Sequence, residues 1–154
     1  MGADMLRQVL TPDVIRLKAR ATDWEDAVRQ SVGLLQNVGA VEPRYVDASV
    51  QMVKDLGAYM VLAPGLALAH ARPEAGVRRN CLALLTLETP VAFGHPENDP
   101  VYVVFALGAI KSDEHVKLIA DLAQFLEREE TIAALGRAET AEEVLALLDQ
   151  GSSR

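Results

Sequence analysis

Residues 101–110 read VYVVFALGAI, ten positions without a charge, entered from Pro100 and followed by Lys111. Residues 81–87, CLALLTL, are almost as uniformly apolar and follow Asn80. Short apolar runs bounded by such residues predict strands buried on both faces, rather than strands with one side in water. A sheet covered on both sides needs helices above and below it, so these two stretches decide the fold class. They predict an α/β, three-layer sandwich built on a mixed β-sheet. The strand order is not readable from the sequence.

The flanking segments supply the helices. Thr22-Asp23-Trp24-Glu25 matches a capping box with Thr22 at the N-cap. Trp24, Ala27, Val28, Ser31, Leu35 and Val38 follow at helical spacing, and Gly39 is a stop signal. A second helix is predicted from Pro43 to Leu56, with Tyr45, Ser49, Met52 and Leu56 on one side and Gly57 at its end. Ser112-Asp113-Glu114 places acids in the first turn of a third helix, whose expected apolar stripe is Val116, Ile119, Ala120, Ala123 and Leu126. A short helix over 129–135, ended by Gly136, and a helix behind the capping box Thr140-Ala141-Glu142-Glu143 complete the set. Residues 14–17 read as a short strand, 59–62 as a short apolar segment, 91–93 as a further short strand, and 94–100 (GHPENDP) as a loop. One domain over residues 1–154 is expected, with about 1–5 and 150–154 frayed.

Composition restricts the function. The 154 residues carry a net charge of -7, which argues against nucleic acid, whose phosphates demand clustered Lys and Arg. A partner with a basic face fits that charge. The single cysteine, Cys81, precludes an internal disulfide and points to a reducing cytoplasm. The first ten residues lack a signal-peptide pattern, and the run at 101–110 is too short to span a bilayer as a helix, so no direct membrane insertion is expected. Cys81 sits inside an apolar run and reads as a buried, inert thiol. There is no G-x-S-x-G elbow, Walker loop or dinucleotide glycine fingerprint, and no histidine pair at metal-binding spacing on a helix. No cofactor and no metal are therefore expected.

Three histidines remain. His70 ends the apolar segment of APGLALAHARP (63–73), where a strand should fix its backbone and bring the ring to the surface edge. A neutral imidazole is a nucleophile near pH 7, because its ordinary pKa is about 6.5. A phosphoryl group on it would need positive or N–H partners, and Arg72 is near in sequence, with Arg78 and Arg79 beyond. His115 falls near the third position of a helix, where free amides and the dipole favour a neutral ring able to donate one N–H to an anion. His95 lies between turn residues and acids, and reads as part of a solvated turn.

The segments GAYMVLAPGLALAHARPEAGV, PVAFGHPENDPVYVVFALGA and SDEHVKLIADLAQFL, taken together and in order, resemble enzyme IIA of the bacterial phosphotransferase system, mannitol/fructose type, and most of all its ascorbate branch. The resemblance covers nearly the whole chain. It implies a phosphohistidine carrier that takes a phosphoryl group from phospho-HPr and gives it to a cysteine of enzyme IIB, which in turn serves a membrane enzyme IIC. It assigns the acceptor role to His70 and a phosphoryl-stabilising role to His115. It implies transport of ascorbate or a related sugar or polyol, with IIB and IIC on separate chains. A regulatory, nitrogen-type IIA phosphorylated at the same histidine is the alternative, and a non-catalytic binding domain a third. This chain has Ala69 where many members have Pro before the active histidine. It offers Lys54, across a one-residue gap, where many have Arg, and a point charge does not reproduce a guanidinium fork. Leu66 and Leu68 are candidates for an apolar dock around His70, or for core.

Overall fold

The computed structural model describes residues 2–152, with side-chain surroundings for 5–150; the expected fraying of the termini falls partly outside these residues. Among the described residues six helices and five strands form one α/β architecture. They are α1 (Gly2–Val9), β1 (Ile15–Ala19), α2 (Trp24–Asn37), α3 (Pro43–Leu56), β2 (Val61–Ala63), β3 (Leu66–Ala69), β4 (Cys81–Val91), β5 (Val101–Gly108), α4 (Ser112–Phe125), α5 (Glu129–Arg137) and α6 (Ala141–Ser152). The sheet runs in the order β1-β4-β5-β3-β2. β1 is parallel to β4 and β3 to β5, while β4–β5 and β2–β3 are antiparallel, so the sheet is mixed as expected.

The two decisive stretches are the central strands. Leu82–Leu85 and Val103–Leu107 lie at 0% exposure, which requires cover on both faces. α2 lies across β4 and β5 with α3 beside it, while α1, α4 and α6 pack together on the other side and α5 sits against β5. Leu66 and Leu68 of β3 are 3% and 2% exposed, so they belong to the core and form no dock.

Local chemistry sets the element ends, with several shifts from the sequence reading. The first capping box is displaced by one residue. Asp23 is the N-cap of α2 and accepts from the Asp26 amide at 2.9 Å, while the Asp26 carboxylate accepts from the Thr22 amide. Gly39 has φ +75, and the bonds Gly39 N–H to Gln36 O and Ala40 N–H to Leu35 O close α2 as a Schellman motif. The second box is half formed: Thr140 Oγ1 accepts from the Glu143 amide at 3.2 Å, while the Glu143 carboxylate accepts from the Glu139 amide, one residue before the cap. Of the strand expected at 91–93 only Val91 is extended, as the last residue of β4 paired with Val101; residues 92 and 93 already belong to the loop. Gly136 lies inside α5 and does not end it. A Cβ there would sit 2.4 Å from the Tyr102 ring, so its bareness makes room for that aromatic. α1 carries no prediction, yet its Leu6 and the following Leu10 are fully buried.

The stripe of α4 also differs. Leu118, Leu122 and Leu126 face the core, whereas Val116 is 66% exposed. Leu56 of α3, expected on the buried side, is 56% exposed; Tyr45, Val46, Ser49, Val50 and Val53 are buried there instead.

Candidate functional site

β3 and β5 run in parallel, with Ala69 opposite Ala106, so their C-terminal ends emerge at the same edge of the sheet. In open α/β sheets that edge is where ligands bind. His70 is the residue after β3. The chain leaving β5 turns through 109–111 into α4, which carries His115 in its first turn. The two rings therefore meet, with centroids 5.3 Å apart and planes at 61°. β2 is antiparallel to β3, so the 3₁₀ turn Ala58–Met60 that precedes β2 reaches the same place. It brings Tyr59 edge-on to His70, with centroids 5.9 Å apart. Three chain segments distant in sequence thus converge.

The turn between β2 and β3 is built by Pro64 and Gly65. Gly65 has φ +79, and a Cβ on it would lie 2.3 Å from the Tyr102 ring. Its carbonyl accepts from the amides of Tyr102 and Val103, which ties the start of β3 to β5. At the other end, Tyr45 of α3 fixes the chain just past His70. Its hydroxyl accepts from the Ala71 amide at 2.9 Å and lies 2.8 Å from the Leu107 carbonyl and 3.0 Å from that of Ala71. Burial pushes this phenol's pKa up, which keeps it a donor.

Both ring nitrogens of His70 have partners. Nδ1 lies 3.1 Å from the Leu68 carbonyl and Nε2 lies 2.9 Å from the Tyr59 hydroxyl. A carbonyl oxygen only accepts, so Nδ1 carries the proton. Nε2 then holds the lone pair and accepts from the Tyr59 O–H. The ring's pKa is lowered mainly by burial; the Leu68 carbonyl opposes this and the charge of His115 adds to it. His70 is 9% exposed, more enclosed than a position at the surface edge implies. Nε2, which holds the lone pair, faces Tyr59, which is 46% exposed, so that edge of the ring is the one near solvent.

His115 is the fourth residue of α4, one later than expected. Its amide makes the helix's first hydrogen bond, to Lys111 O at 2.9 Å, leaving the amides of Ser112, Asp113 and Glu114 ahead of it. Burial lowers its pKa as well. Its Nδ1 is buried and makes no hydrogen bond in the protein. A buried polar atom without a partner is unusual and is explained where a ligand supplies the missing one. Asn80, at the head of β4, holds this region: its Oδ1 accepts from the Ile110 amide at 2.9 Å and its Nδ2 donates to Glu114 at 2.8 Å.

The remaining candidates are placed as follows. Lys54 pairs with Glu25 at 3.7 Å. Arg72 is exposed, two residues past His70, and caps the 3₁₀ turn Pro73–Ala75. His95 is a structural residue of the 94–100 loop: its Nδ1 accepts from the amides of Glu97 and Asn98, and Asp99 accepts from those of Phe93, Gly94 and His95. Cys81 is buried, with its thiol pushed up to about 12 by desolvation, which leaves it inert at neutral pH. Among the described residues no group of three or more His, Cys, Asp or Glu is arranged to hold a metal, and no helix is long and apolar enough to cross a membrane.

The family described as "Phosphoenolpyruvate-dependent sugar phosphotransferase system, EIIA 2" matches residues 8–151. The chain belongs to this family. It is thus a phosphoryl-carrying component of a sugar phosphotransferase system. The ascorbate-specific PTS system EIIA component of Shigella boydii is 42% identical over 137 residues, covering 88% of this chain and 89% of the relative. A putative PTS IIA (PtxA) from Streptococcus mutans superposes with a TM-score of 0.81 at 36% identity, covering 98% of this chain and 93% of that one. So does the IIA of a complex between enzyme IIAMTL and phosphorylated enzyme IIBMTL of Escherichia coli, with TM-score 0.81, 27% identity, and 92% and 99% covered.

Sequence reasoning singled out the two histidines that the structure brings together, but not Tyr59, Tyr45 and Asn80 around them. Tyr59 sits in an apolar segment, GAYMVLAPG, where an aromatic reads as core; no local signal places its hydroxyl on His70. It also missed the exposed Leu56, Leu62, Ile110 and Val116, which come from the same chain segments as Tyr59, His70 and His115.

Proposed function

We propose that this EIIA chain accepts a phosphoryl group on His70 Nε2 from phospho-HPr and passes it to the cysteine of an enzyme IIB in an uptake system for ascorbate or a related sugar or polyol, working in the cytoplasm. The observation that carries the site assignment is the ring's fixed tautomer: Nδ1–H is engaged by Leu68 O, so the lone pair is on Nε2, in a ring whose centroid is 5.3 Å from that of His115. The lone pair attacks phosphorus, the donor's P–N bond breaks, and its electron pair returns to the donor nitrogen. The loose transition state spreads charge over three oxygens. His115, whose Nδ1 has no partner in the resting protein, and the first amides of α4 are the donors on hand for them. The reverse geometry serves transfer to the thiolate. The ascorbate-specific relatives support the substrate class, and the IIAMTL–IIBMTL neighbour supports the partner. The exposed apolar residues Leu56, Leu62, Ile110 and Val116 suit a docking surface for proteins that come and go.

The test incubates the protein with phosphoenolpyruvate, enzyme I and HPr. His70→Ala is expected to take up no phosphate; uptake would remove His70 as acceptor. His115→Ala is expected to be labelled but to pass the group on poorly, and normal onward transfer would remove His115 from the mechanism. Lys54→Ala and Arg72→Ala are expected to stay close to wild type, Lys54 because its ammonium is engaged by Glu25.

A further inference from the structure

The reacting nitrogen of His70 is already occupied. The Tyr59 hydroxyl stands 2.9 Å from Nε2, and a phosphorus atom bonded to Nε2 would take the space this oxygen now fills, because a P–N bond is shorter than a hydrogen bond. Tyr59 must therefore move for transfer to occur. Its surroundings allow this: the side chain is 46% exposed and sits on a short 3₁₀ turn entered through Gly57, at φ +74. Among the described residues the hydroxyl is the one side-chain donor on Nε2, and a phosphoryl group there would present oxygens within reach of it after a small displacement.

We propose that Tyr59 is a third catalytic residue of the phosphoryl site. In the resting protein its O–H donates to the Nε2 lone pair and, with Leu68 O on the opposite nitrogen, holds the ring plane. During transfer it turns aside and donates to a non-bridging phosphoryl oxygen. No proton is transferred: the same O–H exchanges one acceptor, an imidazole nitrogen, for another, an anionic oxygen. Hydrogen bonds to charged acceptors are the stronger kind, so the exchange favours the phosphorylated state. The edge of His70 is thereby shielded from water and stray electrophiles between transfers, and the shield becomes part of the cradle.

This inference rests on His70 being the acceptor, and the experiment separates the two. Tyr59→Phe keeps the ring and removes only the oxygen, at a position exposed enough to leave folding intact. Imidazole nitrogen NMR of the unphosphorylated protein reads the hydrogen bond directly. In the variant the Nε2 resonance should move toward that of an unbonded imidazole nitrogen while Nδ1 stays put. The His70 titration should rise by about half a pH unit or more, because the neutral form loses a donor that favoured it. With phospho-HPr as donor, the equilibrium constant for phosphorylation should fall about fivefold, because the variant loses a hydrogen bond in both states and only the excess strength of the charge-assisted one is felt. Unchanged Nε2 shift, titration and phosphoryl equilibrium would overturn the role of Tyr59 while leaving wild-type labelling of His70 intact. Absence of labelling at His70 in the wild type would instead overturn the acceptor assignment itself.

Discussion

Tyr45→Phe is a sharp test of what holds His70 in place. The side chain is fully buried, and its oxygen bridges the chain just after His70 to the end of β5. A hydroxyl has one hydrogen, so it donates chiefly to the nearer carbonyl, Leu107 at 2.8 Å, while accepting from Ala71 N–H at 2.9 Å. Phenylalanine keeps the packing and removes both bonds. The Ala71 amide, in a residue 2% exposed, is left without its partner, which costs about 1–3 kcal/mol. The lost bond to Leu107 adds about 1 kcal/mol. A total of about 2–4 kcal/mol corresponds to a Tm lowered by roughly 5–15 °C in a domain of this size. Urea melts give the free energy, and a calorimetric scan gives the Tm. Because the bridge spans the exits of β3 and β5, phosphate uptake from phospho-HPr should also slow, by about tenfold or more as the two histidines lose their spacing. A variant that melts within a degree of wild type, and is phosphorylated as fast, would show that the hydroxyl network is not what sets the site.

Gly65→Ala forces a side chain into φ +79 and into a 2.3 Å clash with the Tyr102 ring, so a loss of at least about 2 kcal/mol in urea unfolding is expected. Asn80→Ala frees the Ile110 amide and Glu114 at the start of α4; it should cost only about 1 kcal/mol, yet slow onward transfer to enzyme IIB severalfold, read by phosphate chase. Burial lowers the pKa of His70, so phosphate uptake should hold steady as pH falls through about 6.5, where a free imidazole protonates, and decline only below it. The same shift links to stability: below about 6.5 the unfolded chain binds protons that folded His70 and His115 resist, so stability falls with pH, and His70→Gln should lessen that fall in urea melts at pH 7.5 and 5.

How much of this was legible in the sequence follows from the range of each signal. The two uniformly apolar runs identified a sheet covered on both faces, because two-sided burial leaves no polar alternation to confuse the reading. Cap residues located α2, α3 and α6 within a residue or so, since a cap is a contact between near neighbours. The stripe of α4 was misread: Val116 and Ala120 have the spacing of a face, but the helix is rolled by its packing against α1, so Leu118 and Leu122 are buried and Val116 is outside. Gly136 looked like a stop because a missing Cβ has the same appearance whether it serves a turn or an aromatic neighbour 34 residues upstream. Tyr59 and Asn80 were invisible for the same reason. Their roles exist only once the strand order β5-β3-β2 brings three loops to one edge, and strand order leaves no local mark.

With His70 as the proposed acceptor, that edge resolves two opposed demands on one imidazole. To attack, the ring must be neutral, and enclosure supplies this by penalising the protonated form. After attack through Nε2, Nδ1 still carries its proton, so the phosphorylated ring is cationic, and enclosure alone would drive that proton off. The Leu68 carbonyl acts in the other direction, since its bond at 3.1 Å favours the protonated nitrogen. The negative phosphoryl group, once attached, adds to it. A ring that keeps this proton is the better leaving group, because the departing nitrogen recovers a neutral imidazole in place of an anion. The strand end that orients His70 thus sets the resting tautomer and readies the loaded ring for release, and both effects come from a single backbone oxygen.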